Sequence, residues 1–247
     1  MKHSHENSGL PKNSGLPTRI ALVLVVGLSA ACTKIPENHV DGQIYDPDET
    51  WNRQYYNPES RLDRNVVEPV TKGYSHVMPD AFEMAIGNFS DNLSTPSDVV
   101  NNLLQANLRG AASDTGRFLI NSTFGILGFY DAASEMGLPA ATDTDFGETL
   151  YVWGVPQGAY QHMPIIGPTT ERDTAGHIVD LFTNPLSYVI PAPESYYGTA
   201  AKAAQLASDR ANDVDRYVPV LEPGVDNYAE ERAFYARKRR KELGIDE

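Results

Sequence analysis

Apolar residues recur at helical spacing along most of the chain from Trp51 onward. The clearest pattern begins at Thr95, where a threonine N-cap, Pro96 at the first helical position and Asp98 three residues after the cap are typical of a helix start. Apolar residues then recur at positions 99, 100, 103, 104 and 108. The same reasoning predicts further helices at about 111–121, 170–182, 196–212 and 228–243.

Polar side chains mark the starts of two of the shorter segments. Thr170 with Asp173 forms the pattern of a capping box, which opens the helix predicted to continue through Phe182. Asp131 is expected to cap a short helix that stops at Gly137, because glycine is the commonest residue just after a helix end.

Alternation of apolar and polar residues, the pattern of a half-buried strand, is rare. Leu150–Val155 and His162–Ile166 fit short strands, although proline and glycine interrupt both neighbourhoods. The fold class predicted from these patterns is mainly α.

The N-terminal region has a different pattern. Twelve apolar or small residues, Ile20–Ala31, follow a weakly basic leader and directly precede Cys32. As a helix this run would be about 18 Å long, too short for a hydrocarbon core of roughly 30 Å, so it is typical of a secretory signal. Its small residues before the cysteine resemble a bacterial lipobox, in which cleavage leaves an acylated cysteine as the new N-terminus. The alternative is an ordinary signal peptide with an accidental cysteine.

We therefore expect residues 1–31 to be a signal peptide that is removed and Cys32 to be the lipidation site. Residues 32–50 would form the acylated N-terminus and a polar tether, and residues 51–247 a single helical domain with a charged C-terminal helix. Thr33 follows the cysteine, where an aspartate would resemble an inner-membrane retention signal. The absence of an aspartate at this position favours export to the outer membrane.

Composition narrows the possible functions. The chain has 20 basic and 33 acidic residues, and the predicted leader takes three basic residues and one acidic residue with it, which leaves 17 and 32. A protein this acidic is not expected to bind nucleic acid. The single cysteine also excludes a disulfide framework within the chain.

Motifs for catalysis or metal binding are absent from the sequence. It contains no G-x-S-x-G, H-E-x-x-H, P-loop or G-x-G-x-x-G pattern, and His76, His162 and His177 have no partner at metal-site spacing. The acid pairs at 143/145 and 230/231 have the spacing of solvated surface groups. We therefore expect no catalytic residues, no metal and no cofactor.

Residues 117–173 combine glycine, proline and aromatic residues at unusual density. Glycines at this density allow tight connections and close backbone approach. A loop-rich core is one interpretation, but apolar residues are unusually frequent for connections. A wide apolar face would indicate contact with a membrane or lipid, and its candidate residues are Phe124, Ile126, Leu127, Phe129 and Tyr130.

Many short motifs across residues 45–240 resemble the MlaA/VacJ family of outer-membrane lipoproteins, in the same order and spacing. The first are Asn52-Arg53, Tyr55-Tyr56, Val67–Val70, Asn88-Phe89, Asp91–Leu93, Pro96, Arg117-Phe118, Asn121, Gly125, Gly128, Asp131 and Ala133. The remaining ones are Asp145–Gly147, Thr149-Leu150, Gly154-Val155, Gly158, Tyr160, Pro164, Gly167-Pro168, Thr170, Arg172-Asp173, Asp180, Asp226, Tyr228, Arg232 and Tyr235. Two departures are Ala159, where the family usually has proline in Gly-Pro-Tyr, and Trp51, where it usually has phenylalanine.

The resemblance implies an α-helical ring embedded in the inner leaflet of the outer membrane around an amphipathic central channel. It implies removal of mislocalised glycerophospholipids from the outer leaflet, their transfer to a periplasmic lipid carrier of the MlaC type for retrograde transport, and association with trimeric porins. The alternatives are a structural porin-associated lipoprotein and a lipid-anchored periplasmic hydrolase, which would need His162 or His177.

The resemblance also suggests which residues form the channel or its structural motifs. They are Asn52, Arg53, Asn121, Gly125, Gly128, Asp131, Asp145, Phe146, Gly147, Trp153, Gly154, Gly158, Tyr160, Pro164, Gly167, Pro168, Arg172 and Asp173.

Individual roles follow from side-chain chemistry. Asn52 and Arg53 are expected to fix the segment that enters the domain, and the channel wall is expected largely between residues 145 and 173. Trp153 and Tyr160 suit a boundary between apolar and polar zones. Arg172 could bind a phosphate or form a structural ion pair. The basic run at 237–241 could contact anionic lipid or the carrier, or be a solvated helix end.

Overall fold

The computed structural model describes residues 33–36, 44–164, 166–190, 195–212 and 225–245. The predicted signal peptide, the predicted lipidation site Cys32 and part of the predicted tether lie outside the described residues.

Helices dominate the described chain, which confirms the predicted class. The first seven elements are α1 (Glu49–Leu62), a π-helical turn (Asp63–Val67), α2 (Glu68–Val77), α3 (Asp80–Leu104), α4 (Leu108–Thr123), α5 (Ala132–Glu135) and α6 (Phe146–Val152). They are followed by β1 (Tyr160–Met163), β2 (Gly167–Thr170), α7 (Glu171–Thr183), α8 (Leu186–Val189), α9 (Ser195–Asn212) and α10 (Asn227–Glu242). Within the described ranges, no helix is both long enough and apolar enough to cross a membrane.

The predicted caps at residues 131 and 170 are confirmed. The Thr170 side chain accepts the N–H of Asp173 at the start of α7, and the Asp131 side chain accepts the N–H of Ser134 at the start of α5. Gly137 follows α5 with a φ of +81°, a conformation that favours glycine. Local hydrogen bonds of this kind depend on a few neighbouring residues, so they can be recognised in the sequence.

The helix start predicted at Thr95 is wrong, because both Thr95 and Pro96 lie inside the 25-residue helix α3. Proline there removes one backbone donor and crowds the preceding turn. The Thr95 hydroxyl donates to the carbonyl oxygen of Asp91 at 2.9 Å, and Asn184 of the distant α7–α8 connection donates to the carbonyl oxygen of Leu93 at 2.9 Å. Side chains therefore bind carbonyl groups near the proline, and the helix continues through it.

The strand predicted at Leu150–Val155 is also wrong, because its first three residues belong to α6. Asp145 caps α6 by accepting the N–H of Glu148 at 2.7 Å, and this cap sets the helical start. The second predicted strand is shifted, because the observed strand β1 begins two residues earlier and ends at Met163. β1 pairs antiparallel with β2, and Tyr160 lies opposite Thr170.

The helices pack around an interior that is unusually polar. Helix α3 packs against α4 and α9, and α6 packs against α7. The buried apolar cluster is small and consists of Phe146, Leu150 and Ala175, with Val155 and Val179 against it. Packing between apolar side chains alone therefore does not hold the helices together.

Buried polar side chains join α3 to α4 and α6. Asn102 donates to Asp114 at 2.9 Å, and Thr142 donates its hydroxyl to the same carboxylate oxygen at 2.6 Å. The Thr149 hydroxyl donates to the side-chain oxygen of Asn101 at 3.1 Å. Such groups are costly to bury unless they are hydrogen-bonded, so these pairings specify how the helices meet.

Candidate functional site

The structure divides the predicted site residues into three sets and a group of connections. Asn52 belongs to the first set, at the junction of α1 and β1. It is buried, donates to Asp46 at 2.8 Å and to the carbonyl oxygen of Tyr160 at 3.2 Å, and accepts the N–H of His162 at 3.1 Å. One side chain thus ties α1 to the hairpin.

Arg53 lies beside Asn52 and holds the C-terminal helix. Its guanidinium donates to both carboxylate oxygens of Asp226, at 2.8 and 2.5 Å, and stacks over the Tyr228 ring with its Cζ 4.4 Å from the ring centre. Arg232 of α10 makes a second ion pair with this region, because it binds Asp46, just before α1, at 2.6 Å. These ion pairs dock α10 against α1.

Aromatic rings fill the space between α1, β1 and α10. Tyr160 is 1% exposed and packs edge-on against Tyr228 and Tyr235, and Tyr56 packs edge-on against Tyr228 and His162. The sequence-based placement of Tyr160 at a boundary between apolar and polar zones is therefore wrong, because its side chain is buried and packs against other aromatic residues.

His162 is buried in the same region. Its Nε2 lies 3.0 Å from a carboxylate oxygen of Glu59, and burial lowers its pKa although the charge of Glu59 acts in the opposite direction. The other histidine considered for a hydrolase, His177, is exposed on α7. The two histidines therefore differ in environment, and the contacts described for His162 are structural.

The second set surrounds Arg239 of α10. This arginine is 6% exposed and donates to both carboxylate oxygens of Asp145 at 2.8 Å and to Asp173 at 3.1 Å. Asp173 also accepts the Tyr235 hydroxyl at 2.6 Å and the Thr170 hydroxyl at 3.0 Å. We call Asp145, Asp173 and Arg239 the ion cluster.

Electrostatics in the ion cluster favours the charged forms. Burial alone would raise the pKa of Asp173. The charges of Arg239 and Arg172 lower this pKa by more than burial raises it, so the net shift is downward. Burial would lower the pKa of Arg239, but the two aspartates raise it. Glu148 lies at the edge of the cluster, and burial raises its pKa to about 7.

Small residues make the close packing at this cluster possible. A Cβ on Gly147 would lie 2.7 Å from the Arg239 guanidinium, and a Cβ on Gly176 would run into the backbone of Gly147. Phe146 is buried beside them and donates its backbone N–H to Asp180 at 2.9 Å. Glycine is thus required where α6 crosses α7.

Arg172 lies next to the ion cluster and is 2% exposed. Its Nε donates to Asp173 at 3.1 Å, and its guanidinium carbon lies 5.4 Å from the centre of the Tyr151 ring. Of the two roles considered from the sequence, the geometry matches the structural ion pair.

The third set holds the loop of residues 124–130, which we call the apolar loop. Arg117 binds Asp131 at 2.7 Å, and Asn121 donates to Asp131 at 3.0 Å and accepts the N–H of Ala133 at 2.8 Å. Burial would raise the pKa of Asp131, but hydrogen bonds from Ser134 and Asn121 and the charge of Arg117 lower it overall. The ends of the loop are thereby fixed to α4 and α5.

Backbone geometry fixes the apolar loop itself. Ile126 and Leu127 have φ values of +53° and +59°, which are uncommon for non-glycine residues, and Gly128 has φ +100°. A Cβ on Gly128 would meet the Asn92 side chain at 2.6 Å, and one on Gly125 would run into the backbone of residues 121 and 130. Both predicted glycines are therefore required by close contacts.

The apolar loop presents large apolar side chains to the outside. The exposed fractions of Phe124, Ile126 and Leu127 are 71%, 73% and 67%, and Phe129 stacks on Phe89 with ring centres 4.5 Å apart. A strained loop that exposes its apolar residues costs free energy in water. This arrangement is typical of a surface that contacts another apolar phase or partner.

The remaining predicted residues lie in connections around the hairpin. Trp153 donates its indole N–H to the carbonyl oxygen of Leu104 at 3.1 Å and is half exposed. Gly154, Gly158 and Gly167 all have positive φ, and Pro164 follows β1. Pro168 lies in β2 opposite His162.

A cavity of about 500 Å³ lies elsewhere, between α3 and α9. Its lining residues are Asp80, Glu83, Met84, Gly87, Asn88, Asp91, Gln205 and Ser208. The residues that the sequence assigned to a channel or its structural motifs do not line this cavity.

Residues 44–242 match the family model described as MlaA lipoprotein. The chain belongs to the MlaA lipoprotein family. A solved structure reported under the description "Structural basis for maintenance of bacterial outer membrane lipid asymmetry" has the same fold, with a TM-score of 0.65 and 24% identity over 80% of this chain and 98% of the other.

Two relatives illustrate the range of similarity. An uncharacterized protein of Rickettsia felis is 38% identical over 59% of this chain and 58% of its own length. The "Intermembrane phospholipid transport system lipoprotein MlaA" of Escherichia coli strain K12 is 34% identical over 58% of this chain and 59% of its own. The chain therefore spans less than two thirds of the length of these curated relatives.

The sequence alone predicts that the basic run at 237–241 is either a surface for lipid or carrier or a solvated helix end. Both interpretations are wrong for its central residue, because Arg239 is buried in the ion cluster while Arg237, Lys238 and Lys241 are exposed. A single buried position within a charged run gives no local sequence signal, and the carboxylates that bind it lie 66 and 94 positions away.

Proposed function

We propose that this protein is the outer-membrane component of a system that maintains lipid asymmetry. It removes mislocalised glycerophospholipids from the outer leaflet and passes them to a periplasmic carrier of the MlaC type. In this proposal Cys32 carries the lipid anchor, the helices lie in the periplasmic leaflet, and trimeric porins are partners. Membership of the MlaA family and the names of its relatives support this assignment.

The observation that carries the proposal is the contrast between the interior and the surface. Asn101, Asn102 and Asp114 are fully buried, whereas Phe124 and Ile126 of the apolar loop are mostly exposed. Monomeric proteins in water rarely leave large contiguous apolar patches uncovered. A protein that contacts hydrocarbon on its outside has no such penalty.

Large apolar side chains are also exposed on other elements. On α7 and α8, Leu181 and Val189 are 72% and 74% exposed, with Phe182 and Tyr188 beside them. Because burial in hydrocarbon is worth on the order of 25 cal/mol for each Å² of apolar surface, several such residues can hold a helical protein in one leaflet.

Transport of a phospholipid requires an enclosed path. Moving two acyl chains of about sixteen carbons through water would cost on the order of 25 kcal/mol, at about 0.8 kcal/mol for each CH₂. The headgroup is equally unfavourable in hydrocarbon. An amphipathic channel inside a helical ring removes both costs, and the lipid moves downhill when the carrier binds it more tightly, so no bond has to be broken.

The ion cluster is proposed to keep the channel wall rigid. It joins α6, α7 and α10 across the segment 145–173, which we propose contributes most of the wall. Arg172 and Asp173 support the wall from within the protein and do not bind the phosphate of the lipid.

Lipid that co-purifies with the protein tests the proposal. The full-length protein is isolated from membranes in mild detergent, and bound lipid is identified by mass spectrometry, with an unrelated outer-membrane lipoprotein as the control. We expect intact glycerophospholipid in excess over the control, and no lysophospholipid or fatty acid on incubation. Absence of bound phospholipid would favour the structural porin-associated lipoprotein. Hydrolysis that is lost in His162→Ala or His177→Ala would favour the hydrolase.

A further inference from the structure

Thr33, which begins the described part of the chain, is bound to the body of the protein. It donates its backbone N–H to Oε2 of Glu171 at 2.5 Å and its hydroxyl to Oε1 of the same carboxylate at 2.7 Å. The two residues are 138 positions apart in the sequence. A carboxylate that receives two donors from one residue holds that residue in one place and one orientation.

The surroundings of Glu171 favour this contact. Glu171 is the first residue of α7, and its Oε2 also accepts the N–H of Ala159 at 3.2 Å. Its own N–H donates to the carbonyl oxygen of Ala159 at 3.0 Å. Gly158 has φ +73°, and a Cβ there would run into the Glu171 carboxylate. Glycine at this position therefore leaves the space in which the carboxylate lies.

Ala159 is the position where this chain departs from the family pattern Gly-Pro-Tyr. Proline has no backbone N–H, so a proline here could not donate to Glu171. In this chain the carboxylate receives three donors, two from Thr33 and one from Ala159. The departure thus supplies a backbone donor that helps to fix the position of the carboxylate that holds Thr33.

Tyr45 and Asp46 provide a second attachment near the same hairpin. The carbonyl oxygen of Tyr45 accepts the N–H of Tyr160 at 2.7 Å, and Asp46 accepts the Tyr228 hydroxyl at 2.6 Å. Residues near both ends of the predicted segment 32–50 are therefore attached to the same part of the protein.

Thr33 directly follows Cys32, the predicted acylation site. The contact with Glu171 therefore fixes the residue next to the proposed anchor. We propose that Glu171 is the docking site for the chain that follows the acylated cysteine. The lipid anchor then leaves the protein at a fixed place beside the β1–β2 hairpin, and the anchor and the segment 158–171 move together. Glu171 is a positioning residue in this arrangement, and the inference rests on the proposed lipidation of Cys32.

Lys34 makes the docking measurable. It is exposed, and trypsin cleavage after it would release the peptide of residues 32–34 from the full-length protein. Cleavage of a docked segment requires that the segment first detach, so the rate follows the population of the detached form. The mass of the released peptide reports whether Cys32 is acylated, and the rate of release reports docking. A protein that is not acylated at Cys32 can therefore be told apart from one in which Thr33 is not docked.

Glu171→Gln is the principal variant, tested in the lipidated protein in detergent micelles. It replaces the charged acceptor by a neutral one and is expected to accelerate cleavage after Lys34 about three- to tenfold. Glu135→Gln is the matched control, because Glu135 is an exposed glutamate in the first turn of α5, and we expect no change. Cleavage at other lysines and arginines reports the stability of the whole fold.

Thr33→Val removes only the hydroxyl donor and leaves every contact within the body unchanged. It is expected to accelerate cleavage about two- to threefold in the wild-type background and to have little effect in Glu171→Gln, because the contact is already weakened there. Equal cleavage rates after Lys34 in wild type and Glu171→Gln would overturn the proposal. If Glu171→Gln accelerates cleavage at every site, an unchanged rate in Thr33→Val would overturn it instead.

Discussion

At the scale of single residues, the stability of the fold depends on whether a buried charge lies beside opposite charges or beside like charges. Arg239 is buried with two carboxylates, and each of them accepts two hydrogen bonds from its guanidinium, so its charge is neutralised where it lies. Glu231 of the same helix is largely buried beside Glu59 and Asp63, and one of its carboxylate oxygens has no hydrogen-bond partner among the described residues. Removal of one partner from the first arrangement would destabilise the folded protein, and the second arrangement destabilises it whenever Glu231 is ionised.

Replacement of Arg239 tests the first arrangement. Arg239→Met removes the cation that binds both aspartates of the ion cluster and leaves the buried Asp173 with Arg172 as its remaining cation, and we expect a loss of about 3–5 kcal/mol in the free energy of unfolding. Arg237→Met, at an exposed position two residues earlier, should change it by less than about 0.5 kcal/mol. Denaturant unfolding in mild detergent measures both, and equal values for the two variants would show that the ion cluster is not formed.

The pH dependence of stability tests the second arrangement. Burial, followed by the charges of Glu59 and Asp63, raises the pKa of Glu231 to about 7 from its ordinary value of 4.5. The folded protein therefore holds this proton more tightly than the unfolded chain. This contribution to stability is lost as pH rises through the interval from 4.5 to about 7.

We therefore expect Glu231→Gln to raise Tm by about 3–6 °C at pH 8 and by clearly less at pH 5. The exposed neighbour Glu230→Gln is the control and should show no such difference between the two pH values. A Glu231→Gln effect of the same size at both pH values would contradict the assigned ionisation. Thermal unfolding followed by circular dichroism provides the measurement.

At the scale of elements, helix starts with local caps could be predicted from the sequence, and long-range contacts could not. The starts of α5 and α7 depend on Asp131 and Thr170 and on residues three positions later. The continuation of α3 through Pro96 involves Asn184, a contact 91 positions away. Burial of Arg239 likewise depends on partners in α6 and α7. Predictions from the sequence therefore failed where a distant residue changed the local preference.

The crossing of α6 and α7 depends on glycine at residue 176. A Cβ there would run into the backbone of Gly147, so Gly176→Ala must separate the two helices and disturb the ion cluster. We expect a loss of about 3 kcal/mol or more. Gly87→Ala in α3 is the control, because its Cβ would meet nothing within 4 Å, and it should be neutral or stabilising by up to about 1 kcal/mol.

Denaturant unfolding of these two glycine variants separates the crowding from the helix propensity of alanine. A Gly176→Ala protein as stable as Gly87→Ala would contradict the described crossing.

At the scale of the whole molecule, polar groups lie inside and large apolar side chains lie outside. The family and its fold are shown by comparison, and the apolar loop was recognised in the sequence because its five apolar residues lie within seven positions. What the sequence did not show is that Arg117, Asn121 and Asp131 lock this loop in a strained, exposed conformation. We expect the apolar loop to insert into a membrane leaflet.

Vesicle flotation of the Cys32→Ser protein, which lacks the proposed anchor, tests this insertion. Phe124→Asn with Leu127→Asn should weaken binding about tenfold or more, because two exposed apolar side chains are lost from the apolar loop. Asparagine tolerates the positive φ of residue 127, so the loop keeps its shape. Leu108→Asn, equally exposed but about 24 Å away at the other end of α4, is the control, and an equal loss there would contradict insertion of the loop.

Removal of stray phospholipid from the outer leaflet can be measured in intact cells. Surface-exposed phosphatidylethanolamine is labelled with a membrane-impermeant amine reagent in cells with the gene, without it, and with the gene restored. We expect more labelled lipid on deletion and a return to the original amount on restoration. Unchanged labelling on deletion would contradict the transport function and leave the structural lipoprotein as the better account.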